Sequence, residues 1–381
     1  MNFGLTETQT TLKNSVREFL NAECPIALVR KLAETETAFD EGLWKKIAAQ
    51  GWTGLLFPEE YGGFGMGMVD LGVVLEEMGR ALLPGPFLST VLAGAILDLG
   101  GSDEHKEKYL SAICRSEAKS TLALLEAGAS WEIDGVNLAA ARNSGGYSLT
   151  GRKLFVPDAA VADFLICAAR VDGDLALFIV PSAAQGLNVR HTPAIDLTRK
   201  LYEVTFENVA AGEAEIIAQG EAAWSVLESA LDIATAGLTA EMTGGMGRLV
   251  ELAVGYAKTR KQFGKPIGQF QAVQHMCADM LLFTESSRSA AYYACWVVGE
   301  GLPEAAEAVS IAKSYASEAY RETGNRAIQV HGGMGFLWEN DAHLYYRRAK
   351  GSEIAFGDAV FHRERLAKLV VDTTRHTVAA C

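Results

Sequence analysis

The sequence predicts an α+β protein with three domains in the order helical, β, helical. Apolar residues recur at helical spacing in the first 119 residues and again after residue 220, whereas short β-type runs with Gly- and Asp-containing turns occupy the interval. A chain of 381 residues can bury a large core and form two or three domains. We therefore predict a helical domain over 1–119, a small β-barrel-like domain over 120–220 and a four-helix bundle over 221–381.

The helices of the first domain follow from apolar spacing and from the residues that end each pattern. Leu12, Val16 and Phe19 lie on one helical face, in a pattern that begins at Thr6 and ends before Pro25. No β-type alternation interrupts this region. Further helical patterns occupy Gly42–Gln50, Met68–Ala81 and Leu88–Leu99.

The middle domain is predicted from short runs of β-branched, aromatic and apolar residues. Turn sequences such as NSGG and DGD separate these runs, as in antiparallel sheets. The runs span Tyr147–Val156, Phe164–Ala169, Leu175–Val180 and Leu201–Phe206. Together they predict a β-domain over Thr121–Val209.

The last domain is predicted to be a bundle of four long helices. After Gly220 the apolar spacing returns to the helical period, and each pattern is long enough to span a bundle. The four patterns are Glu221–Arg260, Phe270–Gly299, Pro303–Val330 and Asp341–Val371.

Charge and composition exclude several classes of function. The formal net charge is −13 without a block of Lys and Arg, which argues against nonspecific nucleic-acid binding. The N-terminus MNFGLTETQ lacks the apolar core of a signal peptide, and no apolar run approaches the ~18 residues of a membrane span. Six scattered cysteines without a CxxC pair predict neither a metal site nor a disulfide scaffold. We therefore expect a cytoplasmic protein that does not bind a membrane.

Two motifs carry the chemical signal. The stretch Tyr256–Met280 reads YAKTRKQFGKPIGQFQAVQHMCADM, in which a helical pattern breaks at Gly264 and Pro266 just after Arg260. A guanidinium at such a helix end suits a phosphate or pyrophosphate, although an ordinary surface arginine gives the same pattern. The second motif is Gln329–Phe336, QVHGGMGF.

These motifs closely resemble those of the acyl-CoA dehydrogenase family, in which YA..R.QFG.PI..FQ and QxxGGxG occur in this order. The domain order matches as well, so the resemblance covers nearly the whole chain. In that family both segments contact the diphosphate and adenosine of an FAD held mainly by a neighbouring subunit. The resemblance implies six FAD-binding residues here, namely Arg260, Gln262, Phe263, Gln329, Gly332 and Gly333.

The resemblance implies α,β-dehydrogenation of an acyl-CoA thioester, with electrons passed to an electron-transfer flavoprotein. Such a reaction needs a base for the α-proton while the flavin accepts the β-hydride. In most members the base is a Glu in a YEGT-like segment of the last long helix. Alignment of Tyr346–Lys350 with the family's YRDAK places Phe356 at that position, so the usual base is absent.

Glu241 is the first candidate for a replacement base. Some family members carry the base on the first helix of the bundle, where Leu231, Leu238, Gly245 and Leu252 form a seven-residue apolar repeat that Glu241 adjoins. Desolvation there predicts a raised pKa, in the range of a useful base.

The alternative interpretation makes Glu241 a buried structural partner of an arginine or of backbone. It is favoured by the alignment, which puts the family's alternative base at or next to Ala234, two turns earlier. Asp358 and Glu353, which flank Phe356, rank below Glu241. Asp358 is short and turned away from that position, and Glu353, one turn earlier, is expected to reach only solvent. Asp232 matches a family Asp near the thioester channel. The family usually has an Arg three residues later, where this chain has Thr235.

The contacts to the flavin ring also depart from the family pattern. The usual TEP.AGSD loop corresponds here to Leu124–Ser130, and the W-[IV]-T strand corresponds to Phe155–Asp158. Leu125 has no hydroxyl and Pro157 has no amide hydrogen, so two donors to the ring are lost.

Two hypotheses follow from this pattern. In the first, the chain is a self-sufficient homotetrameric dehydrogenase that uses Glu241. In the second, it is a non-catalytic partner of a complementary dehydrogenase-like subunit in a heterotetramer, contributing the adenosine and diphosphate half of the FAD site. Phe356, Leu125 and Pro157 favour the second hypothesis.

Overall fold

A computed structural model describes residues 4–372 of the chain. The N-terminal part is helical, as predicted. Thr6 begins the first helix with a capping box, because its Oγ1 accepts from the Gln9 amide at 3.2 Å and its own amide donates to Gln9 Oε1 at 3.0 Å. The helices are α1 Glu7–Glu23, α2 Ile26–Ala33, α3 Glu41–Ala48, α4 Met68–Ala81, α5 Phe87–Gly100, α6 Asp103–His105 and α7 Ser111–Cys114, the last two joined by a π-helical turn, Lys106–Leu110.

The middle part is a single eight-stranded sheet. Its strands are β1 Ser120–Ala123, β2 Ala139–Asn143, β3 Gly146–Pro157, β4 Phe164–Val171, β5 Asp174–Pro181, β6 Leu187–Thr192, β7 Leu201–Ala211 and β8 Ile216–Gln219. They pair in the order β6-β7-β3-β2-β4-β5-β8, and β1 runs parallel to β4. Strand β6 escaped prediction because none of its residues is fully buried, so it has no apolar alternation.

The C-terminal part is a helical bundle. Its helices are α8 Glu221–Thr259, α9 Gln271–Gly299, α10 Ala305–His331, α11 Ala342–Ile354 and α12 Ala359–Ala367. The three-part order helical, β, helical is confirmed. A two-strand hairpin, β9 Lys261–Gln262 and β10 Lys265–Pro266, joins α8 to α9.

Helix α8 is buried on every side over residues 234–246. It packs closely on α4 because both helices carry glycine at the crossing. A Cβ at Gly79 would lie 1.9 Å from the carbonyl oxygen of Glu241, and one at Gly244 would lie 1.7 Å from that of Glu76. The close approach fixes the position of Glu241 between the N-terminal domain and the bundle.

The prediction of one continuous helix over Asp341–Val371 is wrong. The chain breaks between α11 and α12, and we call residues 355–358 the α11–α12 turn. Phe356 and Gly357 there have φ angles of 57° and 94°, which no α-helix permits. Asp358 then begins α12 as its N-cap, since its Oδ1 accepts from the Phe361 amide at 2.9 Å.

Within residues 4–372 no helix is long and apolar enough to cross a membrane. In the same range no group of three or more His, Cys, Asp and Glu side chains could hold a metal ion. The five cysteines of this part of the chain are free thiols, and Cys381 lies outside the described residues.

Candidate functional site

The first motif forms an exposed hairpin at the end of α8. Arg260 is the C-cap of α8, and the strands of the hairpin pair Lys265 with Gln262. Phe263 and Gly264 form its tip in left-handed conformation, with φ angles of 52° and 79°. The Phe263 side chain is 93% exposed. Its ring meets Phe270 edge-to-face, with centroids 6.1 Å apart, and most of its surface stays open to solvent.

The second motif lies beside the first. Helix α10 ends at His331, and a 3₁₀ turn, Gly332–Phe336, follows. The His331 ring stacks on Tyr256 with centroids 4.6 Å apart, and its Nδ1 lies 2.7 Å from the carbonyl oxygen of Ala327. This contact joins the end of α8 to the end of α10, so the fold brings the two motifs together.

The polar side chains of this end are exposed and unpaired. Arg260, Gln262 and Gln329 have no side-chain hydrogen bond or ion pair with any residue in the described range 4–372. Exposed arginines elsewhere, such as Arg142, pair with carboxylates. We call the six residues Arg260, Gln262, Phe263, Gln329, Gly332 and Gly333 the flavin end.

The backbone at Gly333 is open to a ligand that approaches the flavin end closely. Its φ angle is not in the left-handed region, and a Cβ built on it would meet no atom within 4 Å. Neither its conformation nor its own chain requires glycine there. A group that approaches the backbone from outside would require it, as phosphates do at glycine-rich helix ends.

The position predicted for the usual base holds an aromatic pair. Phe356 lies in the α11–α12 turn and packs edge-to-face on Trp131, with ring centroids 5.7 Å apart. Trp131 belongs to the loop that follows β1, in the region where the family's ring-binding loop aligns. We call this the acyl end of the molecule. Its central side chain can neither accept nor donate a proton.

The two carboxylates that flank Phe356 are both engaged. The Glu353 carboxylate binds Arg321 and lies 3.6 Å from Lys350 Nζ. Asp358 caps α12 through its own carboxylate. The expectation that Glu353 reaches only solvent is wrong, because Arg321 of α10 binds its carboxylate. A break in the helix, not helical periodicity, sets the direction of Asp358.

Glu241 lies between two guanidinium groups. Its Oε2 accepts from Arg199 Nη2 and its Oε1 accepts from Arg348 Nη1, each at 2.6 Å, and the residue is buried. Burial acts to raise the pKa of Glu241, but the charges of Arg199 and Arg348 outweigh it and lower that pKa below its usual value. The expectation of a raised pKa is wrong, because both arginines come from distant parts of the chain. The role of Glu241 as base stays a prediction.

Glu241 belongs to a buried polar cluster where the three domains meet. Arg348 Nε lies 2.8 Å from Asp196 Oδ2. Asp158 accepts from Ser89 Oγ at 2.8 Å, while its Oδ1 has no hydrogen-bond partner in the described residues. Burial raises the pKa of Asp158 to about 6. We call Asp158, Asp196, Arg199, Glu241 and Arg348 the junction cluster.

Asp232 is held by an arginine of the last described α-helix. Arg365 of α12 donates to both Asp232 oxygens, at 2.6 and 2.9 Å. It thus supplies a guanidinium near the position where the chain has Thr235 in place of the family's Arg. Glu228, one turn before Asp232, has a pKa raised by burial. We had not predicted Glu228; its i,i+4 spacing from Asp232 was the available signal.

The two altered ring contacts lie at Leu125, in the loop after β1, and at Pro157, at the end of β3. Leu125 is buried, and its carbonyl oxygen accepts from the Leu154 amide at 2.8 Å. Pro157 is the last residue of β3 and faces Leu201 of β7. Leu125 therefore has no hydroxyl, and Pro157 has no amide hydrogen, to donate to a flavin ring.

Two family models match the chain. Residues 6–117 match the N-terminal domain of acyl-CoA dehydrogenase, and residues 223–371 match the C-terminal domain of acyl-CoA dehydrogenase. The chain belongs to the acyl-CoA dehydrogenase family. Its members are FAD-dependent oxidoreductases that act on CH–CH bonds, and FAD is therefore the expected cofactor of this member.

Individual relatives resemble this acyl-CoA dehydrogenase over nearly its whole length. The acyl-CoA dehydrogenase IpdE2 of Mycolicibacterium smegmatis is 30% identical over 367 residues, which are 96% of this chain and 98% of that protein. A chain of the ChsE4-ChsE5 complex from Mycobacterium tuberculosis superposes with a TM-score of 0.88 at 28% identity, covering 97% of this chain and 99% of that one. The FAD complex of PigA gives the same TM-score, identity and coverage.

Proposed function

We propose that this chain is a subunit of an FAD-dependent acyl-CoA dehydrogenase that contributes the adenosine and diphosphate half of an FAD site to a complementary subunit. Its own acyl end does not take the α-proton of an acyl-CoA. The observation that carries the proposal is the Phe356–Trp131 pair at the position of the usual base.

The carboxylates around this pair support the proposal. A general base needs a free lone pair within hydrogen-bond reach of the proton it removes. Glu353 is bound by Arg321, Asp358 caps α12, and Glu241 lies between two arginines that hold its pKa low. Each of them would have to give up existing partners before it could act on a substrate.

The flavin end supports the other half of the proposal. Arg260 and Gln329 offer unpaired polar side chains to the outside, and Gly333 leaves its backbone open to a close approach. The Arg260 guanidinium would hold the diphosphate through charge-assisted hydrogen bonds, and it keeps its charge at any physiological pH. When bound, FAD supplies the acceptor for the hydride that leaves the β-carbon of the acyl group.

The substrate of such an assembly would still be an acyl-CoA thioester. Comparison with the ChsE4-ChsE5 structure supports a pairing of unlike subunits, since that assembly is a complex of two named chains. A pairing of two such chains with two complementary chains predicts half as many flavins as chains.

The flavin content of the purified full chain tests the proposal. Absorbance at the flavin band and light scattering would give the number of flavins and of chains, first for the chain alone and then for the chain co-expressed with a dehydrogenase-like partner. We expect little flavin on the chain alone and one flavin per two chains in the pair. One FAD per chain in a homotetramer that bleaches when acyl-CoA is added anaerobically would overturn the proposal.

A second candidate function is a self-sufficient homotetrameric dehydrogenase that passes its electrons to an electron-transfer flavoprotein. The observation that favours it is Glu228, whose pKa is raised by burial and whose carboxylate has no ion pair among the described residues. A carboxylate with a raised pKa near the thioester channel has the properties of a base. If the chain alone turns over acyl-CoA, Glu228→Gln should abolish turnover and leave the flavin content unchanged.

A further inference from the structure

A set of side chains on one face of α10 holds the backbone of the α11–α12 turn. Lys313 is fully buried, and its Nζ lies 2.9 Å from the carbonyl oxygen of Glu353 and 2.7 Å from that of Gly357. Its third partner is Ser317 Oγ, at 3.0 Å. Lys313 therefore ties the last turn of α11 to the residue that follows Phe356.

The partners of Lys313 carry no charge. A neutral amine fits them as well as an ammonium does, because it donates to the two carbonyls and accepts the Ser317 hydroxyl proton. Burial lowers the pKa of Lys313 to about 7, against the charges of Asp358 and Glu353, which act to raise it. The amine thus changes charge near neutral pH while its hydrogen-bond geometry is retained.

His362 of α12 holds a second carbonyl of the turn, that of Phe356. Its Nε2 donates to the Phe356 oxygen at 2.9 Å, and its Nδ1 lies 3.4 Å from Ser310 Oγ. Burial, and then the charge of Lys313, lower the pKa of His362 to about 4. His362 is therefore a neutral imidazole at neutral pH, and it does not titrate in the range where Lys313 does.

The turn needs such support because its backbone is strained. Phe356 adopts a left-handed φ of 57°, a conformation that bulky L-residues rarely take. Without donors to its carbonyls, the turn would relax toward the continuous helix that the sequence favours. The Phe356 ring would then leave Trp131.

We propose that Lys313 is a positioning residue, which fixes the side chain at position 356 against Trp131 by binding the carbonyls of Glu353 and Gly357. The proposal concerns where Phe356 is held. Lys313 has this role whether or not the chain itself carries out catalysis.

The pH dependence of the turn follows from linkage. If the turn opens, Lys313 enters solvent and its pKa returns toward the usual value near 10.5, so the open form binds a proton more tightly than the closed form. Raising the pH through 7 toward 10 therefore favours the closed turn, and lowering it favours opening. Below about 7 the effect levels off.

Amide hydrogen exchange in the full-length chain tests the proposal. Peptides that cover residues 350–365 would be followed by mass spectrometry in the wild type, in Lys313→Met and in Lys200→Met. The control is matched, because Lys200 is also buried and its Nζ also donates to a helix carbonyl, that of Ala33. We expect exchange in this segment about tenfold faster in Lys313→Met, as loss of buried hydrogen bonds implies, and unchanged in Lys200→Met. Equal exchange in Lys313→Met and wild type would overturn the proposal.

A second comparison decides the matter if Lys313→Met does not fold. The wild type would be measured at pH 7 and pH 9, with rates corrected for intrinsic exchange, beside Lys313→Gln, which cannot titrate. Exchange of the turn about tenfold slower at pH 9 in the wild type alone would support the proposal. Equal corrected rates at the two pH values in the wild type would overturn it.

Discussion

The flavin end and the acyl end differ in whether their polar side chains are paired within the chain. At the flavin end, Arg260, Gln262 and Gln329 are exposed and have no partner in the described part of the chain. At the acyl end and the adjoining junction cluster, Glu353 and Glu241 are paired with arginines. The difference indicates that the first region is completed by something outside the chain, whereas Glu353 and Glu241 in the second are paired within it.

This contrast matters because desolvation makes an unpaired buried charge costly, whereas an unpaired exposed charge costs little. An exposed arginine can therefore remain ready for a ligand or a neighbouring subunit. A buried carboxylate that is paired with arginines, as Glu241 is, is thereby removed from use as a base.

Glu241→Gln should destabilise the fold strongly. The substitution keeps the side-chain shape but removes the buried negative charge that pairs with Arg199 and Arg348. We expect it to lower the free energy of unfolding by about 3–5 kcal/mol. The denaturation midpoint in urea would measure the loss. Glu251→Gln is the control, since Glu251 pairs with Arg80 and Arg248 on the surface and should change stability by about 1 kcal/mol or less. A Glu241→Gln variant as stable as the wild type and devoid of turnover would identify Glu241 as the base.

Arg260→Ala should weaken FAD binding in whichever assembly forms. Loss of charge-assisted hydrogen bonds to a diphosphate predicts roughly a ten- to hundredfold weaker affinity, with no change in the stability of the apoprotein. Flavin release on dilution would measure it. Lys258→Ala, two residues earlier and equally exposed, is the control and should bind FAD normally. Full retention of FAD by Arg260→Ala would contradict the phosphate role.

Asp158→Asn should stabilise the protein at high pH only. Because burial raises the pKa of Asp158 to about 6, the folded state binds this proton more tightly than the unfolded state, and stability falls as the pH rises from about 4 to 6. Above pH 6 the buried negative charge of Asp158 lowers the free energy of unfolding by on the order of 1–3 kcal/mol. Asparagine carries no charge, and its amide oxygen can still accept from Ser89 Oγ. Melting temperatures at pH 4 and pH 8 would measure the effect. A difference from wild type that is the same at both pH values would contradict it.

Gly333→Ala should affect flavin binding without affecting the fold. A Cβ at Gly333 meets nothing in the chain, so stability should be unchanged, whereas a methyl group against a bound phosphate should weaken FAD affinity about fivefold to tenfold. Gly255→Ala, where a Cβ also meets nothing, is the control for stability and should bind FAD normally. Titration of the apoprotein assembly with FAD would measure both variants. Unchanged affinity in Gly333→Ala would place the ligand elsewhere.

The sequence by itself determined the order of the three domains, most helix and strand positions, and the absence of a carboxylate at position 356. These features depend on local periodicity, on short motifs and on residue identity, all of which can be read without knowing distant contacts. Helix α4, predicted over Met68–Ala81, has those bounds in the structure. Strand β6 was missed because its exposed residues carry no apolar pattern.

Only the tertiary structure decided the charge state of Glu241 and the geometry around Phe356. The partners of Glu241 are 42 and 107 residues away along the chain, and they reverse the pKa shift that burial alone predicts. The carbonyls that flank Phe356 are bound by Lys313, which lies 40 and 44 residues away along the chain. Both features arise from contacts between remote segments, so apolar periodicity and local propensity, which extend over a few turns, could not reveal them.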